Sequence, residues 1–267
     1  NLTKLEPLTS DRTMSPESTL SKSAFFLVMQ LLLAAPVQAG PETVWLIGGG
    51  PNAFRSQVQI ERNVLWVLKA IDSLPGDRRL RVFFTDGHDP TPDIHEWVAP
   101  PETAAALQPL ARVFDSYWSN GLQFRNHRVP GVSGMTEAGH LVQALEADLR
   151  ALSPGYRGWF LFVGHGAYSA DLNNVLELWG DTGLDVGELE ALLDLAPRQG
   201  RLRFLFTQCY AGAFAKLARP DTDRCGFLAA APDQMSEGCS PAVEESDYED
   251  YSTYFFAALT GRPRNHA

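Results

Sequence analysis

Four apolar segments alternate along this chain with segments of helical periodicity, and this alternation limits the possible folds more than any other feature. The segments cover 43–50, 80–87, 159–164 and 201–208, with a shorter fifth at 226–231. Apolar runs of this length, bounded by turn residues, are typical of strands buried on both faces. Strands that alternate with helices bury both faces of a mostly parallel sheet. The sequence therefore predicts an α/β fold with five to six strands.

Helices are predicted where apolar residues recur at a spacing of three or four. These segments are 56–71, 136–152, 184–195 and 251–259. In the third, Asp185 is followed three residues later by Glu188, which is the spacing of an N-terminal capping box. A small hairpin is predicted at 173–181.

Two regions between the apolar segments lack a clear pattern. The Pro-rich segment 88–101 is predicted to be a loop. The stretch 101–133 is interpreted as an insertion or lid of unknown role, with a candidate helix at 104–118 and a loop at 126–134.

The start of the chain is typical of an export signal. Lys22 precedes an apolar run at 24–35, which ends in a sequence suited to signal peptidase. We expect a cleaved signal peptide at 14–39, a folded domain at 40–267, and a non-native upstream segment at 1–13. The alternatives are a buried core helix and an uncleaved anchor, although the run is shorter than the about 20 residues that span a membrane. The mature protein is thus expected in the periplasm or outside the cell, without stable membrane association.

Composition excludes one class of partner. The formal net charge is −10 and the pI is near 5. Because nucleic-acid affinity depends on Lys and Arg side chains that neutralise phosphates, we expect no nucleic-acid partner.

In an oxidising compartment, two cysteines that the fold brings together are expected to form a disulfide. Cys225 and Cys239 are close in sequence and are predicted to form a disulfide that closes a short loop. Cys209 is then left over. It is either a buried, unreactive thiol or a functional one.

The strand ends favour a functional Cys209. In open parallel sheets the ligand site lies outside the carboxyl ends of the strands. His165 follows the segment 159–164, and Cys209 follows 201–208, so both are expected at one edge of the sheet. Thiol-based acyl transfer needs this pair, because a thiolate forms more readily beside an imidazolium or at a helix N-terminus. The segment 210–217 is predicted to begin such a helix.

The segments "FLFVGHGAYSADLNNVLELWGD", "LDVGELEALLD" and "FLFTQCYAGAF" resemble the caspase-like cysteine peptidases of clan CD, and the legumain branch more than the animal caspases. The resemblance covers nearly the whole mature chain. It implies a caspase-like three-layer sandwich and an endopeptidase that acts on peptides or proteins without a metal or organic cofactor. Carried over, His165 matches the catalytic histidine, Cys209 the nucleophile, and the amides of Gly166 and Cys209 the oxyanion hole. In this family the histidine and cysteine are not tightly hydrogen-bonded at rest, so His165 is expected to protonate the leaving amine.

Specificity follows the family pattern less closely. Arg55 lies in a segment similar to the one that supplies a legumain specificity arginine, although a surface arginine is the plain alternative. Thr207 stands two residues before the nucleophile, where the family often has a carboxylate or amide that binds the substrate. Asp250 falls roughly where legumain-like enzymes place an acidic residue of the S1 pocket. If Arg55 and Asp250 share a pocket, an Asn side chain could satisfy both, whereas Arg55 alone favours Asp.

Two other classes of function stay open. The segment 86–95 could bind a divalent metal in a metal-dependent hydrolase, although its irregular spacing matches no established ligand pattern and a solvated loop is the simpler interpretation. Its candidate ligands are Asp86, His88, Asp89, Asp93 and His95. The chain could also be a non-catalytic binding module on a caspase-like fold. The presence of both His165 and Cys209 argues against that alternative.

Overall fold

The computed structural model describes residues 41–98, 121–236 and 249–264, all within the compact unit Ala39–Ala267. In chain order the strands are β1 (Glu42–Gly49), β2 (Arg78–Phe84), β3 (Ile94–Trp97), β4 (Leu122–Arg125), β5 (Val132–Gly134), β6 (Arg157–Gly164), β7 (Gly166–Ala167), β8 (Val175–Leu178), β9 (Thr182–Asp185), β10 (Arg201–Phe206) and β11 (Asp223–Leu228). The α-helices are α1 (Val58–Ser73), α2 (Ala138–Arg150), α3 (Val186–Leu193) and α4 (Tyr251–Thr260).

Six of these strands form the central sheet, in the order β11-β10-β6-β1-β2-β5, and every neighbouring pair is parallel. From β1 the chain adds β2 and β5 on one side of the sheet, and it then adds β6, β10 and β11 on the other side. The direction of strand addition therefore reverses between β1 and β6. Such a reversal opens a crevice at the carboxyl ends of the two central strands. Gly49 and Gly164 pair at that end, and a Cβ on Gly164 would lie 2.5 Å from the Gly49 carbonyl oxygen. Glycine thus lets the two strands approach closely where the crevice opens.

Two hydrophobic layers cover the sheet. On one face, Trp45 and Ile47 of β1 pack with the buried leucines of α2 and α3. On the other face, Val44 and Leu46 of the same strand pack with α1 and with Phe256 of α4. This alternation follows from the opposite directions of successive side chains in a strand. The predicted α/β fold, a parallel sheet with helices on both faces, is therefore confirmed.

Smaller elements border the carboxyl edge of the sheet. Strands β7, β8 and β9 form an antiparallel sheet, and β3 pairs with β4 in a second antiparallel sheet. The predicted hairpin at 173–181 is present but extends further, because its second strand is β9 at 182–185. Asp185 and Glu188 form the predicted capping box at the start of α3.

Two predicted loops are wrong in part. The segment 88–101 contains β3, and the segment 126–134 contains β5. Both strands are short, and they form only because of pairing with distant residues, β3 with β4 and β5 with β2. The proline and glycine residues next to these short strands are typical of turns, and the sequence therefore predicted loops.

Several predictions fall on residues outside the described ranges. These are the upstream segment 1–13, the signal peptide 14–39 and the candidate helix 104–118. Within the described residues, no helix combines the length and apolar character that crossing a bilayer requires.

Candidate active site

His165 stands directly after β6, beside the crevice, with its side chain half-buried. Its Nε2 lies 2.9 Å from Oε1 of Gln57, and the backbone of Arg55 lies beside the ring. Both partners come from the segment between β1 and α1. The His165 carbonyl in turn accepts from the Glu177 amide at 3.0 Å. The imidazole is thus oriented by the loop that leaves the neighbouring strand.

The surroundings of His165 favour its neutral form. Burial lowers the pKa of His165 below the ordinary 6.5, and the positive charge of Arg55 lowers it further. The carboxylate of Glu177 and the hydrogen bond to the Arg55 backbone raise this pKa, but the net direction is downward. At neutral pH the ring is therefore unprotonated and can accept a proton.

Cys209 follows β10, the neighbour of β6, and is also half-buried. Gly166 packs directly on it, because a Cβ at position 166 would lie 2.4 Å from the Cys209 carbonyl oxygen. The loops that carry the histidine and the cysteine are therefore in contact. Within the described ranges, the ring of His165 bonds to Gln57 rather than to the thiol, whose sulfur lies 3.8 Å from the Ser236 carbonyl oxygen. The Cys209 backbone N–H has no acceptor among the described residues.

The segment after Cys209 contains the predicted helix start. Tyr210 adopts a left-handed conformation (φ 60°), and Ala211–Leu217 forms a seven-residue 3-10 helix. A helix therefore does begin after Cys209, as predicted, and it is of the 3-10 type. The segment is held against the loop that follows β11, since the Tyr210 amide donates to the Gln234 carbonyl and Gly212 lies against Pro232.

Asn174 ties these loops together, although its sequence context gave no indication of that role. Its side chain is buried, with 1% exposed. Oδ1 accepts from the Ser169 amide at 2.9 Å. Nδ2 donates to the carbonyls of Tyr210 at 3.0 Å and Pro232 at 2.7 Å. One side chain thus joins the loop after His165 to the loop after Cys209.

Arg55 lies beside His165 and forms a two-point ion pair with Glu177 of β8. Nη1 is 2.7 Å from Oε1, and Nη2 is 2.5 Å from Oε2. The Arg55 side chain is 48% exposed and that of Glu177 18%. The candidate S1 arginine is therefore reachable from solvent but already paired with a carboxylate, and the sequence alone did not single out Glu177.

The other two candidate substrate residues serve the fold in this structure. The Thr207 hydroxyl is buried and donates to the Phe162 carbonyl of β6 at 3.3 Å. Asp250 is the N-cap of α4 and accepts hydrogen bonds from Asn63, Ser252 and Thr253. The structure does not bring Asp250 to Arg55, whose described partner is Glu177.

Gln208, next to the nucleophile candidate, is another residue that sequence reasoning missed. It is 1% exposed, and neither its amide oxygen nor its amide nitrogen has a hydrogen-bond partner within the described residues. Its Cγ packs against Gly166, since it would lie 2.6 Å from a Cβ there. Gln208 therefore fixes the spacing between the two loops by packing.

The candidate metal ligands separate into two groups. Asp86 and Asp93 come together with His127, which the sequence did not suggest. Burial and the nearby Asp93 raise the pKa of Asp86 to about 7. His95 instead bonds the Ala53 carbonyl through Nδ1 at 2.8 Å, and Asp89 is an exposed turn residue bonded to Thr91.

His88 is exposed and is not part of the cluster with Asp86. Cys225 is exposed on β11. Its predicted disulfide partner, Cys239, lies outside the described residues, so the pairing stays a prediction.

No protein-family model matches this sequence, and no curated protein matches it. Two solved structures are similar in part. One is protein GSU0716 from Geobacter sulfurreducens, with 13% identity and a TM-score of 0.39 over 63% of this chain and 51% of that chain. The other is a secreted C11 cysteine protease from Bacteroides thetaiotaomicron in complex with an irreversible peptide inhibitor, with 12% identity and a TM-score of 0.38 over 74% and 50%. This chain thus spans about half the length of each structure.

Proposed function

We propose that this protein is a cysteine endopeptidase with Cys209 as nucleophile and His165 as its proton-transfer partner. The observation that carries the proposal is the contact between Gly166 and the Cys209 backbone, since it joins the loops that follow β6 and β10. A thiol and a neutral imidazole then border one crevice, at the reversal point of the sheet.

The chemistry follows from these positions. When a peptide occupies the crevice, neutral His165 takes the thiol proton of Cys209, and the thiolate sulfur attacks the scissile carbonyl carbon. The carbonyl oxygen gains negative charge and is stabilised by the backbone amides of Gly166 and Cys209. One such donor contributes about 3 kcal/mol to lowering a barrier of this kind. Imidazolium His165 then donates its proton to the leaving amine, and a thioester with Cys209 remains.

Water hydrolyses the thioester and regenerates the thiol. A peptide amine can take the place of water, so transpeptidation belongs to the same proposal. No metal or organic cofactor enters any of these steps.

The pair of Arg55 and Glu177 supports a polar P1 residue. An amide side chain offers an acceptor oxygen for the guanidinium and donor hydrogens for the carboxylate, so Asn matches both members of the pair. An Asp side chain would be attracted by the guanidinium but repelled by the carboxylate of Glu177. We therefore place Asn before Asp, and we assign to Glu177 the role that sequence reasoning gave to Asp250.

The proposal extends to features that the described residues leave open. It includes a caspase-like architecture nearest the legumains, export by the segment 14–39, and a disulfide between Cys225 and Cys239. Peptides or proteins are the proposed substrates.

The deciding experiment compares Cys209→Ala and His165→Ala with the unsubstituted protein on a peptide library varied at P1. Both substitutions should lower kcat/KM by at least about 10³-fold, as expected for loss of a nucleophile or its proton-transfer partner. Matched controls are the double substitution Cys225→Ala/Cys239→Ala, which removes both other cysteines, and His140→Ala, which removes an exposed imidazole. Both controls should keep their activity, and iodoacetamide should abolish that of the unsubstituted protein.

Cleavage that survives Cys209→Ala in a folded protein would overturn the proposal. The absence of cleavage by a folded, unsubstituted protein would favour the binding module instead.

A further inference from the structure

Asp86, Asp93 and His127 form a second cluster of chemically active side chains, in a part of the fold that the proposed peptidase mechanism does not use. Each offers one ligand atom, and these atoms all lie within 4.8 Å of one another. Asp86 stands two residues after β2, Asp93 directly before β3, and His127 two residues after β4. Three separate elements therefore converge on one point.

The two carboxyl groups of this cluster are buried. Asp86 is 4% exposed and Asp93 is 0% exposed. Asp93 accepts from the Thr85 hydroxyl and from the His127 amide, the latter at 2.7 Å. Within the described ranges, no Lys or Arg forms an ion pair with either aspartate. Buried carboxylates this close together need a positive charge or a shared proton.

Asp86 has an unused ligand atom. Its Oδ2 accepts a long hydrogen bond, 3.5 Å, from the Thr91 hydroxyl. Its Oδ1 is buried and has no hydrogen-bond partner within the described residues. A buried carboxylate oxygen with no donor costs free energy that a bound cation would offset.

The hydrogen bonds of the His127 ring leave one nitrogen available to a metal ion. Its Nε2–H donates to the Gly87 carbonyl oxygen at 2.8 Å, which leaves the lone pair on Nδ1. Histidines that bind metals typically donate their other ring N–H to such a carbonyl. In this structure Nδ1 accepts only a long hydrogen bond, 3.2 Å, from the Val129 amide. A metal ion would replace that weak contact.

We propose that Asp86, Asp93 and His127 bind one divalent transition-metal cation. Two carboxylates and an imidazole are typical ligands of Zn²⁺ and Mn²⁺, whereas Ca²⁺ and Mg²⁺ prefer sites made of oxygen alone. The site is separate from Cys209 and His165, and it is structural rather than catalytic.

The bound ion would stabilise β3, the strand to which the segment 53–57 is hydrogen-bonded. Asp93 immediately precedes β3, and the His95 amide of β3 donates to the Ser56 carbonyl at 3.0 Å. His95 Nδ1 also bonds the Ala53 carbonyl. The segment 53–57 that carries Arg55 and Gln57 therefore rests on the strand that the ion fixes.

The test uses the purified full chain carrying Cys209→Ala, so that the thiol and His165 cannot form a competing zinc site. After chelation and removal of the chelator, Zn²⁺ and Mn²⁺ are added separately, and binding is measured by equilibrium dialysis with metal analysis. One equivalent should bind. At a free metal concentration about 100 times Kd, Tm should rise by about 5–10 °C.

Three variants in the same background decide which groups bind. Asp86→Asn and His127→Gln should lose the metal-induced rise in Tm, while Asp89→Asn, an exposed aspartate of the same loop, should keep it. Without metal, Asp86→Asn should be at least as stable as its parent, because one of two neighbouring buried carboxyl groups becomes neutral. This result separates lost binding from failed folding.

If neither Zn²⁺ nor Mn²⁺ bound at millimolar concentration, the proposal would be wrong. The two buried carboxyl groups would then be accommodated by a proton that they share. Binding that persists in both Asp86→Asn and His127→Gln would also overturn the proposal. Peptidase activity is not a readout here, so the outcome is independent of the proposed function.

Discussion

Arg55 and Glu177 meet in a two-point ion pair, with Nη1–Oε1 at 2.7 Å and Nη2–Oε2 at 2.5 Å, next to the imidazole of His165. The arginine comes from the loop after β1, and the glutamate comes from β8. The pair therefore joins two segments on opposite sides of the crevice. It also balances the positive charge of the Arg55 guanidinium.

Glu177→Gln should change the preferred P1 residue. Without the carboxylate, Arg55 keeps its full charge for the substrate, and a P1 Asp gains a charge-assisted pair. We expect the ratio of kcat/KM for Asp over Asn substrates to rise by about tenfold, which corresponds to about 1.4 kcal/mol. The measurement is hydrolysis of two peptides that differ only at P1. Glu146→Gln on α2 makes the same charge change away from the crevice and should leave the ratio unchanged.

A ratio that stays constant in Glu177→Gln would exclude the pair from substrate recognition. Arg55→Gln provides a second check, because it should reduce cleavage after both residues without favouring Asp.

Gln57→Glu should raise the pKa of His165. In the unsubstituted protein burial and then Arg55 lower this pKa below 6.5, and Gln57 contributes only a neutral acceptor at 2.9 Å. A carboxylate at that position favours the imidazolium by about 1 pKa unit or more. The reaction starts from neutral His165, so the acidic limb of the kcat/KM profile should move to higher pH. NMR titration of the His165 ring measures the same shift without substrate.

The loss of stability at low pH differs in size between the two proteins. Since the unsubstituted His165 has a lowered pKa, the unfolded chain binds the proton more tightly, and stability falls as the pH decreases below 6.5. In Gln57→Glu this loss should be smaller. Gln143→Glu, an exposed position on α2, is the matched control and should shift neither profile.

The fold could be predicted from the sequence because its strands are buried on both faces. β1, β6 and β10 each end in a run of apolar residues and glycines, and the helices between them have apolar residues on one side. β3 and β5 could not be predicted in the same way. They have only four and three residues, and their existence depends on pairing with β4 and β2.

The candidate site was predicted in part from the sequence. His165 and Cys209 were found because they end apolar strands, and a rule of topology places such residues at one edge. Glu177 and Asn174 were missed because their roles depend on contacts with residues 122 and 36 positions away in sequence. His127 was missed because it joins Asp86 and Asp93 from another element.

Asn174→Ala should destabilise the protein and reduce its activity together. The substitution removes three hydrogen bonds from a buried side chain. The Ser169 amide and the Pro232 carbonyl lose their partner, while the Tyr210 carbonyl keeps only a long bond, 3.4 Å, from the Ala213 amide. We expect a loss of about 2–4 kcal/mol in the free energy of unfolding, measured by urea denaturation. Because Asn174 also positions the Cys209 loop, kcat should fall in the remaining folded protein. Asn173→Ala removes a single bond to the Gly187 amide and should cost about 1 kcal/mol at most, with kcat unchanged.

Gly166→Ala tests the contact on which the proposed active site depends. The new Cβ would lie 2.4 Å from the Cys209 carbonyl oxygen and 2.6 Å from the Gln208 Cγ, so the two loops must separate. Overpacking of this kind costs about 1–3 kcal/mol of stability, and separation of the oxyanion donors should lower kcat/KM by about 10²-fold or more. Gly134→Ala on β5 is the matched control, because its Cβ would meet only the Phe83 ring at 3.6 Å. Separation of the two loops moves the Gly166 amide away from the Cys209 amide. If Gly166→Ala nevertheless had the same kcat/KM as Gly134→Ala, the loops after β6 and β10 would not form one active site.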